Sequence, residues 1–133
     1  MIKRHENDRK SLSLHKCSSG KWTIGYGHNL EDNGISESTA EFMLSEDIET
    51  ARRGLKKVFT NEDLKYIDEV RFNALVDMMF QLGLNKFRGF KNMTASIKVG
   101  DWLNVASHAM DSKWYKQCPN RASEIVRMLQ FGY

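Results

Sequence analysis

One proline stands among 133 residues, and no apolar run approaches the ~20 residues that a helix needs to cross a bilayer. Internal repeats and low-complexity stretches are missing too, so nothing demands a second independent domain or a long disordered tail. Cysteine is scarce. Cys17 and Cys118 lie far apart, with no spacing that suggests a disulfide framework, and two thiols suit a reducing compartment. The first ten residues, MIKRHENDRK, are too charged to form the core of a signal peptide, so cytoplasmic accumulation is the expectation. Surplus charge is small as well: 20 Lys and Arg face 17 Asp and Glu, a net of +3. That excess suits an anionic polymer but falls short of the concentrated basic stripe of a nucleic-acid binder.

What is present is a chain rich enough in apolar residues, at 41%, to bury a core. The opening residues read as a short helix followed by hairpin material. Residues 12–14 (LSL) alternate apolar and polar, and 21–26 hold Trp, Thr, Ile and Tyr beside glycine. Residues 29–34 (NLEDNG) are a turn cluster. The period then changes. Ser36 is a candidate N-cap, and Ala40, Leu44, Ile48, Ala51 and Leu55 recur at spacings of three and four, predicting one long amphipathic helix. A second helix is predicted over 68–82, with Leu75, Met78, Met79 and Leu82 on one face and Gly83 as its C-terminal cap. Asp101 caps a third carrying Trp102, Val105, Ala106, Ala109 and Met110. Pro119 opens a fourth with Ala122, Ile125, Val126 and Leu129 facing inward. The fold class that follows is α+β: one domain over 1–133, with a small β-containing lobe over about 1–35, a connecting helix over about 36–58 and a helical lobe over about 59–133.

The segment HENDRKSLSLHKCSSGKWTIGYGH, residues 5–28, carries the chemistry. A carboxylic acid precedes Cys17, and the glycine-containing turn Ser18-Ser19-Gly20-Lys21 lets a tight hairpin bring Cys17 and Thr23 to one surface. An acid facing small groups that hold a water is one way to build a glycoside hydrolase. Thr23 supplies a hydroxyl that both donates to and accepts from water. Other chemistries fit less well. His5, His15, Cys17 and His28 show no compact ligand spacing and HEND is not HExxH, so no metal is expected. A Cys17–His nucleophilic pair lacks any local signature, and GYG is followed by no Gly-Lys-Ser/Thr phosphate loop. Taken alone, each residue also has a plain structural use. The acids could be exposed helix residues, Cys17 a small half-buried apolar group, and Thr23 an ordinary strand residue.

This segment resembles the phage-type lysozymes of the T-even endolysin class, whose pattern is Glu, eight residues, Asp or Cys, five residues, Thr. Three further stretches look like that family's segments in the same order: EVRFNALVDMMFQLG (69–83), GFKNM (89–93) and SKWYKQCPNRA (112–122). Cys17 and Thr23 keep the five-residue gap. A gap of eight residues before Cys17 lands on Asp8, whereas Glu6 leaves ten. Glu6 is chosen as the proton donor because Glu6-Asn7-Asp8-Arg9, followed by Leu12 to Cys17, matches the family's run with Lys10-Ser11 inserted. Ile2 also lies one helical turn before Glu6, and Glu reaches one methylene further than Asp. Asp8 stays open as the alternative.

The resemblance implies a lysozyme-like fold and a peptidoglycan hydrolase, a muramidase that cleaves between N-acetylmuramic acid and N-acetylglucosamine with inversion. Glu6, Cys17 and Thr23 would be catalytic, with Cys17 and Thr23 placing the water. Asn29, Phe80, Gln81, Met93 and His108 would contact saccharide, with Phe80 and Gln81 lining the cleft, although Met93 and His108 replace smaller polar residues. His28 would belong to the structural frame. The implied partner is peptidoglycan. No cofactor, nucleic acid or membrane insertion is expected, and the protein would act as a monomer released through a holin-type pore to lyse its host. The first rival is a wall-binding protein on the same fold that has lost catalysis through the insertion. The second is a basic, helix-rich nucleic-acid binder.

Overall fold

Three short antiparallel strands open the described part of the chain, residues 12–133 of a computed structural model. They are β1 (His15–Lys16), β2 (Trp22–Ile24) and β3 (His28–Asn29), in the order β1-β2-β3. The first turn sets the register. The Cys17 amide donates to the Lys21 carbonyl at 2.9 Å and the Gly20 amide to the Cys17 carbonyl at 2.8 Å, with Gly20 at φ 81°, where a Cβ would be strained. This closure pairs His15 with Thr23 and Lys16 with Trp22. On the other edge Thr23 pairs with Asn29 and Ile24 with His28.

The strand expected over 12–14 therefore starts later. Leu12 and Leu14 are exposed and lie ahead of β1, whose pairs with β2 are His15 with Thr23 and Lys16 with Trp22. The expected turn cluster over 29–34 forms a single helical turn, α1 (Leu30–Asn33), capped by Asn29. The short helix expected at the start of the chain, with Glu6 and Asp8 on it, lies outside the described residues.

The long helix is α2 (Glu37–Val58), one residue from its expected start. The Ser36 hydroxyl accepts from the Thr39 amide at 3.2 Å, as an N-cap does. The chain divides into two compact units, Met1–Met43 and Leu44–Tyr133, and the division falls inside this helix. Its apolar stripe is buried only along the second half, at Ala51 and Leu55, while Leu44 is exposed.

The second unit is helical. After α2 come α3 (Asn61–Lys65), α4 (Glu69–Leu82), α5 (Leu84–Arg88), α6 (Lys91–Lys98), α7 (Trp102–Met110), α8 (Lys113–Gln117) and α9 (Pro119–Phe131). Asp101 caps α7 as expected, Asp68, expected as the first residue of its helix, caps α4, and Pro119 stands in the first turn of α9. Gly83, at φ 78°, interrupts the winding and is at once the C-cap of α4 and the N-cap of α5. α9 packs on α7 and α4, and α6 packs on α7. Their shared core holds Leu75, Met78, Phe87, Val105, Ile125 and Leu129, each sealed from solvent. The fold is α+β, mostly helical with a small antiparallel sheet near its beginning.

Candidate functional site

β2 is the middle strand, so Thr23 is enclosed by a strand on either side and is 2% exposed, the buried polar side chain among the described residues. Its hydroxyl donates to the Lys21 carbonyl at 2.9 Å. Cys17 sits at the end of β1 where the turn begins, half-buried and not in a disulfide. The Ser19 hydroxyl is 3.0 Å from its sulfur. That bond comes first among the causes that lower the Cys17 thiol from the ordinary 9.0 to about 7. The backbone amides of Lys21 and Ser19 add to it, the Thr23 hydroxyl contributes less, and slight burial opposes them. Thr23 has one hydroxyl proton, which serves either the Lys21 carbonyl or the sulfur. A thiol, its stabilising amides and a threonine hydroxyl thus share one hairpin, as the turn sequence predicted. Near neutral pH the sulfur divides between thiol and thiolate.

Lys21 ties this turn to the helix that follows. Its ammonium lies 3.3 Å from both Glu31 and Asp32 on α1. Asn29, expected to contact saccharide, spends its amide on the cap of α1: the oxygen accepts from the Asp32 amide at 3.1 Å and the nitrogen donates to the Asp32 carboxylate at 2.9 Å. The His28 Nε2 pairs with the Gly34 carbonyl and holds the far end of the same short helix.

In the helical unit, Phe80 is partly exposed on α4 between two hollows of about 300 and 330 Å³. The Arg121 guanidinium lies 6.0 Å above its ring and pairs with Asp77 one turn earlier on α4. Gln81 is held at both ends: its carbonyl accepts from the Trp114 indole at 3.0 Å and its amide donates to the Cys118 sulfur at 3.2 Å. The thiol of Cys118 in turn donates to the Trp114 carbonyl at 3.1 Å.

Met93 goes elsewhere. It is 1% exposed in the hydrophobic core, where α6 turns it inward, so its side chain has no surface to offer a sugar. His108 is exposed on α7. Glu6 lies outside the described residues. Among the described residues no group of three or more His, Cys, Asp and Glu converges to hold a metal.

The sequence reading passed over Ser19, Trp114 and Cys118 as working parts. A serine two residues after a cysteine in a glycine turn was a usable signal for the first. The Gln81 clamp joins positions more than thirty apart and left no local trace.

Comparison with known proteins places these residues in context. The family model described as "Phage lysozyme" matches residues 6–127. The "Probable T4-type lysozyme 1" of Dictyostelium discoideum is 25% identical, over 99% of this chain and 92% of its own length. The "Endolysin" of Acyrthosiphon pisum secondary endosymbiont phage 1 is 31% identical, over 87% of this chain and 75% of its own. The "Peptidoglycan hydrolase gp36" of Pseudomonas phage phiKMV is 25% identical, over 92% of this chain but 15% of its own length.

Proposed function

Because the chain belongs to the phage lysozyme family of peptidoglycan hydrolases, we propose that it is a muramidase that cleaves the β-1,4 bond from N-acetylmuramic acid to N-acetylglucosamine. Glu6 gives its proton to the leaving glycosidic oxygen as the bond to the anomeric carbon breaks. A water attacks that carbon from the opposite face, and its proton passes to the Cys17 thiolate or, through it, to solvent. Cys carries no carboxylate, so no glycosyl ester forms at this position, and the reading is an inverting one.

The hairpin geometry carries this reading: a sulfur held at about 7 by Ser19 and two backbone amides, beside the Thr23 hydroxyl. A thiolate at neutral pH accepts a hydrogen bond from water more strongly than a thiol and orients it. In this reading Phe80 offers its partly exposed ring to a sugar face, Gln81 a fixed amide and His108 a ring on the surface. Met93 drops out because it fills the core, while Asn29 offers a partly exposed amide beside the cap of α1. The enzyme acts as a monomer without a cofactor and lyses its bacterial host after crossing a holin-type pore. A fluorescent fusion that reached the wall in cells lacking such a pore would count against that route.

Release of reducing ends from purified peptidoglycan tests the assignment with wild type, Glu6→Gln and Asp8→Asn, each shown to be folded by circular dichroism. Activity lost in Glu6→Gln alone supports the acid named here. Activity lost in Asp8→Asn alone moves the acid and restores the family's eight-residue gap. A folded wild type inactive on every wall tested favours the non-catalytic wall binder.

A further inference from the structure

From Met78 to Gly100 the chain contains no Asp or Glu but does contain Lys86, Arg88, Lys91 and Lys98. The fold gathers three of these. Arg88 at the end of α5, with Lys91 and Lys98 two turns apart on the same ridge of α6, line a hollow of about 250 Å³ with Val58, Thr94 and Ala95. No acidic side chain lines it, and none of the three cations forms an ion pair among the described residues. Within the hollow, the Thr94 hydroxyl is sealed from solvent and has no hydrogen-bond partner. Like charges brought together without counter-ions lower stability, so a surface of this kind fits an external anion.

We infer that this face of the helical unit docks on the phosphate groups of an anionic lipid bilayer, independently of the hydrolase reading. The group recognised is a phosphate oxyanion, and two observations favour a bilayer over free phosphate. All three cations are exposed, so water screens each one, and useful affinity requires an array of phosphates met together. Lys98 also lines a second hollow, of about 420 Å³, beside Tyr66 and Val99, which are 77% and 78% exposed. An exposed valine and tyrosine next to a cation suit the boundary between headgroups and acyl chains, which a soluble anion does not provide. Glu62 and Asp63 line this second hollow too, Asp63 being engaged in the Thr60 capping box, so the cationic face is the hollow of Arg88, Lys91 and Lys98.

The test is co-sedimentation of the whole protein with vesicles of phosphatidylcholine alone and of phosphatidylcholine mixed equally with phosphatidylglycerol. Wild type should bind the mixed vesicles and not the neutral ones, more weakly as salt is added. A folded Arg88→Gln/Lys91→Gln/Lys98→Gln variant should bind about a hundredfold more weakly, at about fivefold per cation, yet release reducing ends from solubilised wall fragments at the wild-type rate. Val99→Ser should weaken vesicle binding without altering its salt dependence. Equal binding to both vesicle types, or a triple variant that binds as wild type does, overturns the proposal. So does saturable binding of inorganic phosphate, read as amide shifts at residues 88–98, with no binding to mixed vesicles.

Discussion

The Ser19 hydroxyl lies 3.0 Å from the Cys17 sulfur across one tight turn, and the two residues act as a unit. A thiolate needs donors, and this turn provides the Ser19 hydroxyl and the amides of Ser19 and Lys21. Ser19→Ala removes the first of them. The alkylation rate of the Cys17 peptide, followed by mass spectrometry against pH, should then titrate above the wild-type midpoint of about 7. An unmoved midpoint would show that the amides suffice alone. The folded thiol titrates below its ordinary 9.0, so its contribution to stability is full above that value and is lost as pH falls through about 7. In Cys17→Ser both the inflection near 7 in this stability profile and any matching inflection in hydrolysis should vanish.

Trp114→Phe keeps an aromatic ring against Phe90, with which Trp114 makes an edge-on contact, but it takes the indole donor from Gln81. Gln81 then keeps only the Cys118 sulfur as a partner, and its amide is free to turn. The expected loss is about 1 kcal/mol in urea denaturation, at the low end for an abandoned acceptor because Gln81 is half-buried. If Gln81 meets substrate, KM for wall fragments should rise more than kcat falls. A variant with wild-type stability and KM would show that the clamp orders nothing.

How much was legible from sequence depended on the length over which a signal could accumulate. The four longer helices announced themselves because apolar spacing persists for several turns and Ser36, Asp68, Asp101 and Pro119 mark their starts. Helices of five to eight residues offered too little period: α3, α5, α6 and α8 were missed, although Thr60 and Asp63 spell a capping box at α3. The hairpin was legible from Ser18-Ser19-Gly20-Lys21, but its register was not, since that depends on which residues the turn leaves facing each other. Met93 shows the limit of carrying roles over by position. Its place in the motif suggested a sugar contact, while a methionine on the inner face of a short helix fills the core.

Arg71 should be among the more costly surface-edge residues to lose. Its guanidinium donates to the Leu129 carbonyl at 2.6 Å and to the Gln130 carbonyl at 2.8 Å, stacks 4.6 Å from the Trp102 ring and meets Asp68 at 3.1 Å. It thereby closes the C-terminal end of α9 from the start of α4. Arg71→Met keeps the stem and removes the donors, with an expected cost of about 2 kcal/mol. Burial pushes the Asp68 carboxyl up, but the Arg71 amide, guanidinium and charge together outweigh it and hold the carboxyl below its ordinary 3.8. Stability from this pair is therefore present above that value and fades as pH drops through the lowered one. Urea midpoints of wild type and Arg71→Met should converge in acid. A gap that stayed constant with pH would assign the whole effect to the carbonyl bonds.

Gly54 sets two opposing effects against each other in the middle of α2. Alanine is favoured over glycine inside a helix by about 1 kcal/mol. A Cβ at this position, however, would stand 3.0 Å from the Met79 sulfur and 3.2 Å from its Cγ, and Met79 is itself buried. Methionine is flexible enough to give by a few tenths of an ångström, so Gly54→Ala should fall close to wild type. Gly54→Leu has no such escape, because its further carbons would enter the volume held by Met79, and overpacking should cost about 2–3 kcal/mol. Pairing it with Met79→Ala should return much of that loss, since the smaller partner vacates the space. Thermal unfolding of the four proteins decides the matter: a double variant no more stable than Gly54→Leu alone would mean that the loss does not come from the contact with Met79.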